Sequence, residues 1–274
     1  MSNMRTDNAP MQRHTMKKTL AVAAASLSLL AASLAHAQAG SSPSAVTAAD
    51  VRSVAPALDK YTTDLLEADI WKRPDLSARD RSIATVAAVI ARNQTIELPA
   101  QINRALDNGV KPSELSELIT HLAFYSGWPN ALQAVAIAKP IYVKRKIGVD
   151  QLPAVSAQLL PIDAASEAQR ATFVEENFGT VSRGVVKYTG EVLFHDLWLR
   201  PALAPRDRSL VTISALIATG QVAQLGGHLN RAMDNGLTKP QVSEVLTQLA
   251  FYGGWPNVFT AMPIVKTVFE KRPG

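Results

Sequence analysis

The 274-residue chain has room for one large or two small domains, and with 47% hydrophobic residues it can build a core. It has no cysteine, which excludes disulfides, thiol redox chemistry and thiolate metal sites. Of its 28 basic and 23 acidic residues, four and one fall in residues 1–37, so the remainder carries 24 against 22. That near-balance, with no basic stripe, argues against a nucleic-acid partner.

Residues 1–37 have the form of a secretory signal peptide. Lys17 and Lys18 are its basic region, Thr19 to Leu34 its small apolar run, and Ala35-His36-Ala37 its cleavage site, with cutting expected after Ala37 and after Ala39 as the alternative. The 15 residues before Met16 are long for such a basic region, so Met16 is a second candidate start. As an uncleaved anchor the apolar run is short of the ~20 residues a span needs. A periplasmic or secreted protein is the expectation. Residues 38–46 are small and polar and read as a lead-in.

From Thr47 apolar residues recur at helical steps through Val51, Val54, Leu58, Tyr61 and Leu65, with Pro56 splitting or kinking the helix. The loop Trp71-Lys72-Arg73-Pro74 ends it. Ser77 reads as an N-cap with Asp80 completing a capping box. The helix 78–92 is apolar almost all round and belongs in the middle of a bundle. A helix at about 96–108 closes at Gly109, a third opens at Pro112 and stops at Gly127, and a fourth runs from Trp128 to Arg145. Residues 146–165 form the connection between two domains, 47–145 and 166–274. Ser166 restarts helix, with a break at Gly179.

The second domain repeats the first. Residues 79–130 reappear as 206–257, shifted by 127 positions without a gap, and the match extends from Tyr188 to Arg272. Trp71 pairs with Trp198, Arg79-Asp80-Arg81 with Arg206-Asp207-Arg208, and Trp128-Pro129-Asn130 with Trp255-Pro256-Asn257. No period-two stretch suggests a sheet. The expected fold class is all-α, two tandem copies of one helical bundle.

Three motifs carry a resemblance: W-x-R-P-x-L-x-x-R-D-R-S, L-x-x-H-L-x-R-A-x-x-N-G around His228, and S-E-V-L-T-x-L-A-F-Y-G-G-W-P-N. Together they make the chain similar to the carboxymuconolactone decarboxylase family, which includes the alkylhydroperoxidase D-like proteins. The resemblance implies an all-α bundle that oligomerises, often as six units, so a trimer of this tandem chain would mimic a hexamer. The family's peroxidase branch carries cysteines seven and four residues before the family histidine. Here those positions are Gln221 and Gln224 before His228, and Gln94 and Glu97 before Gln101. A thiol peroxidase is thereby excluded. The decarboxylase branch, which acts on 4-carboxymuconolactone without metal or organic cofactor, fits better. The expected partner is a small carboxylate or lactone.

His228 is the candidate proton donor, since imidazole titrates near neutrality; a structural, hydrogen-bonded histidine is the alternative. The glycines before it, Gly226 and Gly227, weaken the helix and point to close approach by a ligand or another helix. Gln101 stands at the equivalent position of the first copy and cannot do acid–base work, so that site is expected to be degenerate. Glu244 is the second catalytic candidate, as acid/base or as a group orienting His228, or else an interface ion pair. Arg206, Arg208 and Arg231 are the candidate carboxylate clamps. For Arg206 and Arg208 the alternative is ion pairing between helix starts, and for Arg231 a bond to Glu244. His121 reads as a helical partner of Glu117, and His195 as a surface residue. Beside a decarboxylase stand two rivals: another cofactor-free lyase or isomerase, and an exported oligomeric scaffold without chemistry. Convergence of His228, Arg231 and Glu244 on one cavity is what separates enzyme from scaffold.

Overall fold

The described residues form twelve α-helices and contain no strand. The computed structural model describes residues 46–272; the signal peptide expected over residues 1–37 lies outside them. No helix among the described residues is long and apolar enough to cross a membrane.

The first copy comprises α1 (Ala48–Val54), α2 (Pro56–Tyr61), α3 (Ala78–Ala91), α4 (Leu98–Asp107), α5 (Pro112–Tyr125) and α6 (Trp128–Arg145). The second comprises α7 (Ala164–Phe178), α8 (Arg183–Tyr188), α9 (Pro205–Ala218), α10 (Val222–Asp234), α11 (Lys239–Tyr252) and α12 (Trp255–Glu270). Pro56 splits α1 from α2 by opening a new first turn. Gly109 and its counterpart Gly236 follow α4 and α10 with φ of 88° and 102°, a conformation that a Cβ would strain. The seventh helix starts at Ala164 rather than Ser166, because the Asp163 carboxylate accepts from the amides of Ala165 and Ser166.

The periodicity that is apolar all round in α3 and α9 has the expected consequence. From Asp80 to Ala91 and from Asp207 to Ala218 every residue is buried, and the two helices pack on each other. Each also packs on the third bundle helix of the opposite copy, α3 on α11 and α9 on α5. The copies therefore share one hydrophobic core rather than keeping a core each. Inside these helices Ser82 bonds back one turn to the Ala78 carbonyl and Ser209 to that of Pro205, while the buried Ser214 hydroxyl has no partner.

Asp80 does not complete the capping box. Ser77 accepts from its amide, but the Asp80 carboxylate reaches across the pseudo-twofold to Arg206 at 2.7 Å. A charge partner outweighs a neutral backbone donor. The α2 and α8 helices each widen into a π-helical turn, Thr62–Glu67 and Thr189–Phe194, that the periodicity does not foretell. These turns present Glu67 and Phe194 to equivalent arginines.

Candidate active site between the two copies

The crossing of the copies creates two equivalent polar clusters. In the first, Glu117 of α5 accepts from Arg200 Nε at 2.8 Å and from Arg208 Nη2 at 3.0 Å, with Glu117 and Arg208 both essentially buried. Arg208 Nη1 donates to His121 Nδ1 at 3.3 Å, while His121 Nε2 donates to Thr212 Oγ1 at 2.8 Å. The Thr212 hydroxyl proton is committed to the Arg208 carbonyl, which fixes this tautomer. Burial first, then the Arg208 charge, hold His121 well below the ordinary histidine range, so it is neutral.

In the second cluster Glu244 of α11 accepts from Arg73 Nε and Nη2 and from Arg81 Nη2 at 2.8 Å. Gln248 replaces His121, accepting from Arg81 and donating to Thr85.

These clusters place three candidates in ion pairs between the copies. Glu244 has both oxygens taken by first-copy arginines and does not orient His228; a buried carboxylate is held where two guanidinium groups neutralise it. Arg208 donates to Glu117, His121 and the Arg200 carbonyl and is fully buried outside the cavity lining, with only its Nε unpartnered. Arg206 is paired with Asp80 and Asp207, as Arg79 is with Asp207 and Glu114. The arginine pairs at the helix starts thus serve the seam between copies. His121 is likewise held by Thr212 and Arg208, not by Glu117 one turn away.

His228 and Arg231 do meet. Both line a cavity of about 810 Å³ bounded by α7, the Thr189–Phe194 turn, α10 and the end of first-copy α5. The His228 ring lies nearly parallel to Trp198, centroids 6.0 Å apart, and edge-on to Tyr125 at 5.3 Å. Trp198 Nε1 donates to Tyr125 Oη at 2.9 Å, locking the two aromatic walls together. Arg231 stacks its guanidinium 5.1 Å from the Phe194 centroid and 5.2 Å from that of Trp198. It has no carboxylate partner among the described residues.

Burial, with a smaller contribution from Arg231, lowers the His228 pKa to about 4, so the free protein holds a neutral imidazole. Its Nδ1 is buried without a protein partner. Burial pushes the Tyr125 phenol up, keeping it protonated. The glycines before His228 have different roles. A Cβ on Gly226 would meet Ile264 at an ordinary 3.6 Å, so no helix demands glycine there. A Cβ on Gly227 would meet nothing within 4 Å, and Gly227 lines the cavity.

The first copy has the same skeleton with altered chemistry. Trp71 donates to Tyr252 Oη at 3.0 Å, and Arg104 stacks 4.3 Å over Trp71. Arg104 is paired with Glu67 at 2.8 Å, whereas Phe194 stands at the Glu67 position in the second copy. Gln101 is buried and donates to Glu97 at 2.6 Å.

The family model "Carboxymuconolactone decarboxylase family" matches residues 56–140 and again 184–267, together more than half of the chain. The chain belongs to the carboxymuconolactone decarboxylase family. The 4-carboxymuconolactone decarboxylase of Acinetobacter baylyi is 32% identical over 95 residues, 35% of this chain and 71% of that protein. The nitrosuccinic acid decarboxylase of Metarhizium robertsii is 31% identical over 70 residues, 26% of this chain and about half (49%) of its own length. A solved structure named for a gamma-carboxymuconolactone decarboxylase subunit of Burkholderia xenovorans aligns over 79% of this chain and 86% of its own, at 17% identity and a TM-score of 0.41.

In this tandem carboxymuconolactone decarboxylase family member, sequence reasoning missed Tyr125, Trp198 and Phe194 as the surroundings of His228. A signal for Phe194 exists: the 127-residue shift pairs it with Glu67, a change from anion to ring. Tyr125 gives no such signal, because it belongs to the other copy and matches Tyr252.

Proposed function

We propose that the protein decarboxylates a small-molecule carboxylate bound at Arg231, with His228 handling the proton. The carrying observation is that a half-buried, neutral imidazole and an arginine without a carboxylate partner among the described residues line one aromatic cavity. The decarboxylase names of two relatives support the reaction class.

A carboxylate arriving at Arg231 would offset the positive charge that helps depress His228, raising its affinity for a proton. Loss of CO₂ leaves the bonding electron pair on the substrate, where a conjugated carbonyl must delocalise it. On carboxylate binding His228 takes up a proton from solvent and delivers it to that carbon, directly or through a water it orients, so that one solvent proton replaces the departing CO₂ without net redox change. Stacking on Phe194 and Trp198 places the Arg231 guanidinium beside apolar rings, which lowers the local dielectric and strengthens its hold on a carboxylate.

Turnover of 4-carboxymuconolactone by the purified protein, followed by loss of substrate ultraviolet absorbance, tests the substrate named by one relative, and release of CO₂ from an unsaturated or β-keto monocarboxylate tests the reaction class apart from that substrate. His228→Ala is expected to abolish turnover with circular dichroism unchanged; retained activity would sink the assignment of His228. Substitution of Gln101, in the degenerate site, is expected to leave the rate alone.

The reading extends to an exported homo-oligomer. Its support is the signal-like sequence of residues 1–37 and a repeated apolar stripe on exposed helix faces: Trp128, Leu132 and Val135 on α6, and Trp255, Phe259 and Met262 on α12. Light scattering on the protein purified from the periplasm should give a trimer, and mass spectrometry an N-terminus at Gln38. A monomer starting at Met1 or Met16 would refute both.

A further inference from the structure

The proposed site binds one anion, yet its cavity is far larger than an anion and a few carbons require. Two arginines line it, Arg170 and Arg231, and no carboxylate does. Arg170 is neutralised by Glu167, to which it donates through Nε at 2.7 Å and Nη2 at 2.5 Å, while its Nη1 is buried without a partner. Arg231 is left as the uncommitted cation of the wall. The neutral polar groups there, Gln221 and Gln224 among them, offer hydrogen bonds but no charge.

Opposite this single cation the wall is apolar and exposed. Phe173 and Phe178 of α7 keep 58% and 49% of their surface open, and Phe124 keeps 39%, all three lining the cavity. Each square ångström of such surface removed from water is worth roughly 25 cal/mol, so an apolar ligand body would gain from contact with it. A volume of about 810 Å³ is within the range that holds a drug-sized molecule, for which pockets span roughly 300–1,000 Å³. A small polyacid would leave these rings wet and its second carboxylate without a counter-charge.

We infer that the ligand of this cavity is a monocarboxylate carrying a bulky aromatic or alicyclic body, its carboxylate on Arg231 and its body against the α7 phenylalanines. This rests on the proposed role of Arg231 and His228 and narrows the substrate class for that same site.

Isothermal titration of the purified protein with benzoate, 4-phenylbenzoate and succinate tests it. The expected order is 4-phenylbenzoate tighter than benzoate by roughly tenfold or more, from the added apolar contact, with succinate no tighter than benzoate. Phe173→Ala, at an exposed position, should weaken 4-phenylbenzoate more than benzoate. Arg231→Gln should weaken both by about tenfold or more. Succinate binding tighter than 4-phenylbenzoate would overturn the substrate class; if Arg231→Gln still removed that binding, the proposed site would stand. Carboxylate binding indifferent to Arg231, or no binding by any of the three, would overturn the site as well.

Discussion

Arg231 and Arg104 occupy equivalent positions over equivalent tryptophans, but among the described residues only Arg104 meets a carboxylate, Glu67 at 2.8 Å. Arg231 faces the ring of Phe194 instead. The duplication thus produced one arginine consumed by its own fold and one left available, beside the histidine that only the second copy has.

Transplanting the first-copy arrangement should therefore silence the second. Phe194→Glu is expected to neutralise Arg231 and lower kcat/KM by about tenfold to a hundredfold, the value of one or two charge-assisted hydrogen bonds. Arg231→Gln should match it, and Arg104→Gln should not. Steady-state kinetics with circular dichroism as the folding check decides, and full activity in Phe194→Glu would contradict the role of Arg231.

The pKa of His228 makes a pH prediction with a definite sign. The folded value of about 4 lies below the ordinary 6.5, so the unfolded chain takes up the proton first on acidification. Stability is expected to be fully present above pH 6.5 and to fall as pH drops toward 4, by roughly 3 kcal/mol from this ring. His121, also depressed, adds to the same slope. Urea denaturation at pH 7 and pH 4.5 should show His228→Gln losing about 2 kcal/mol less than the wild type. Equal losses would mean the ring is not buried neutral. In NMR titrations, Arg231→Gln or a bound carboxylate should move the His228 resonance midpoint upward.

Glu244 and Glu117 predict stability effects, not catalytic ones. Removing either as alanine leaves a fully buried arginine, Arg81 or Arg208, without its carboxylate, at about 3–5 kcal/mol. For Glu244→Gln, the milder change, the melting temperature should fall while kcat per folded molecule stays constant. A pure kcat loss at unchanged stability would restore Glu244 to the chemistry.

Gly227→Ala should separate stability from binding. A methyl there meets no protein atom within 4 Å and relieves a glycine inside a helix, worth up to about 1 kcal/mol. It also projects into the cavity wall, so KM should rise while the melting temperature rises. A gain in both stability and affinity would show that Gly227 is not facing the ligand.

Local physics made much of this protein legible in its sequence. The helices follow from 3.6-residue periodicity, their ends from Pro56, Ser77, Gly109 and Gly236, and the central place of α3 and α9 from residues that are apolar on every side. The duplication, the absence of cysteine and the presence of Gln101 where the second copy has His228 are likewise sequence facts. The composition of the site is not, because it is assembled across copies. His228 and Arg231 sit one helical turn apart and could be read together; Tyr125 reaches them from 103 positions away in the chain. Glu244 fits the second-copy motif as well as any residue, yet the crossing of the copies carries it to the first-copy arginines. A sequence motif fixes which side chains a helix offers, but the pairing of buried charges is settled by what packs opposite, and for Glu117 and Glu244 those partners belong to the other copy.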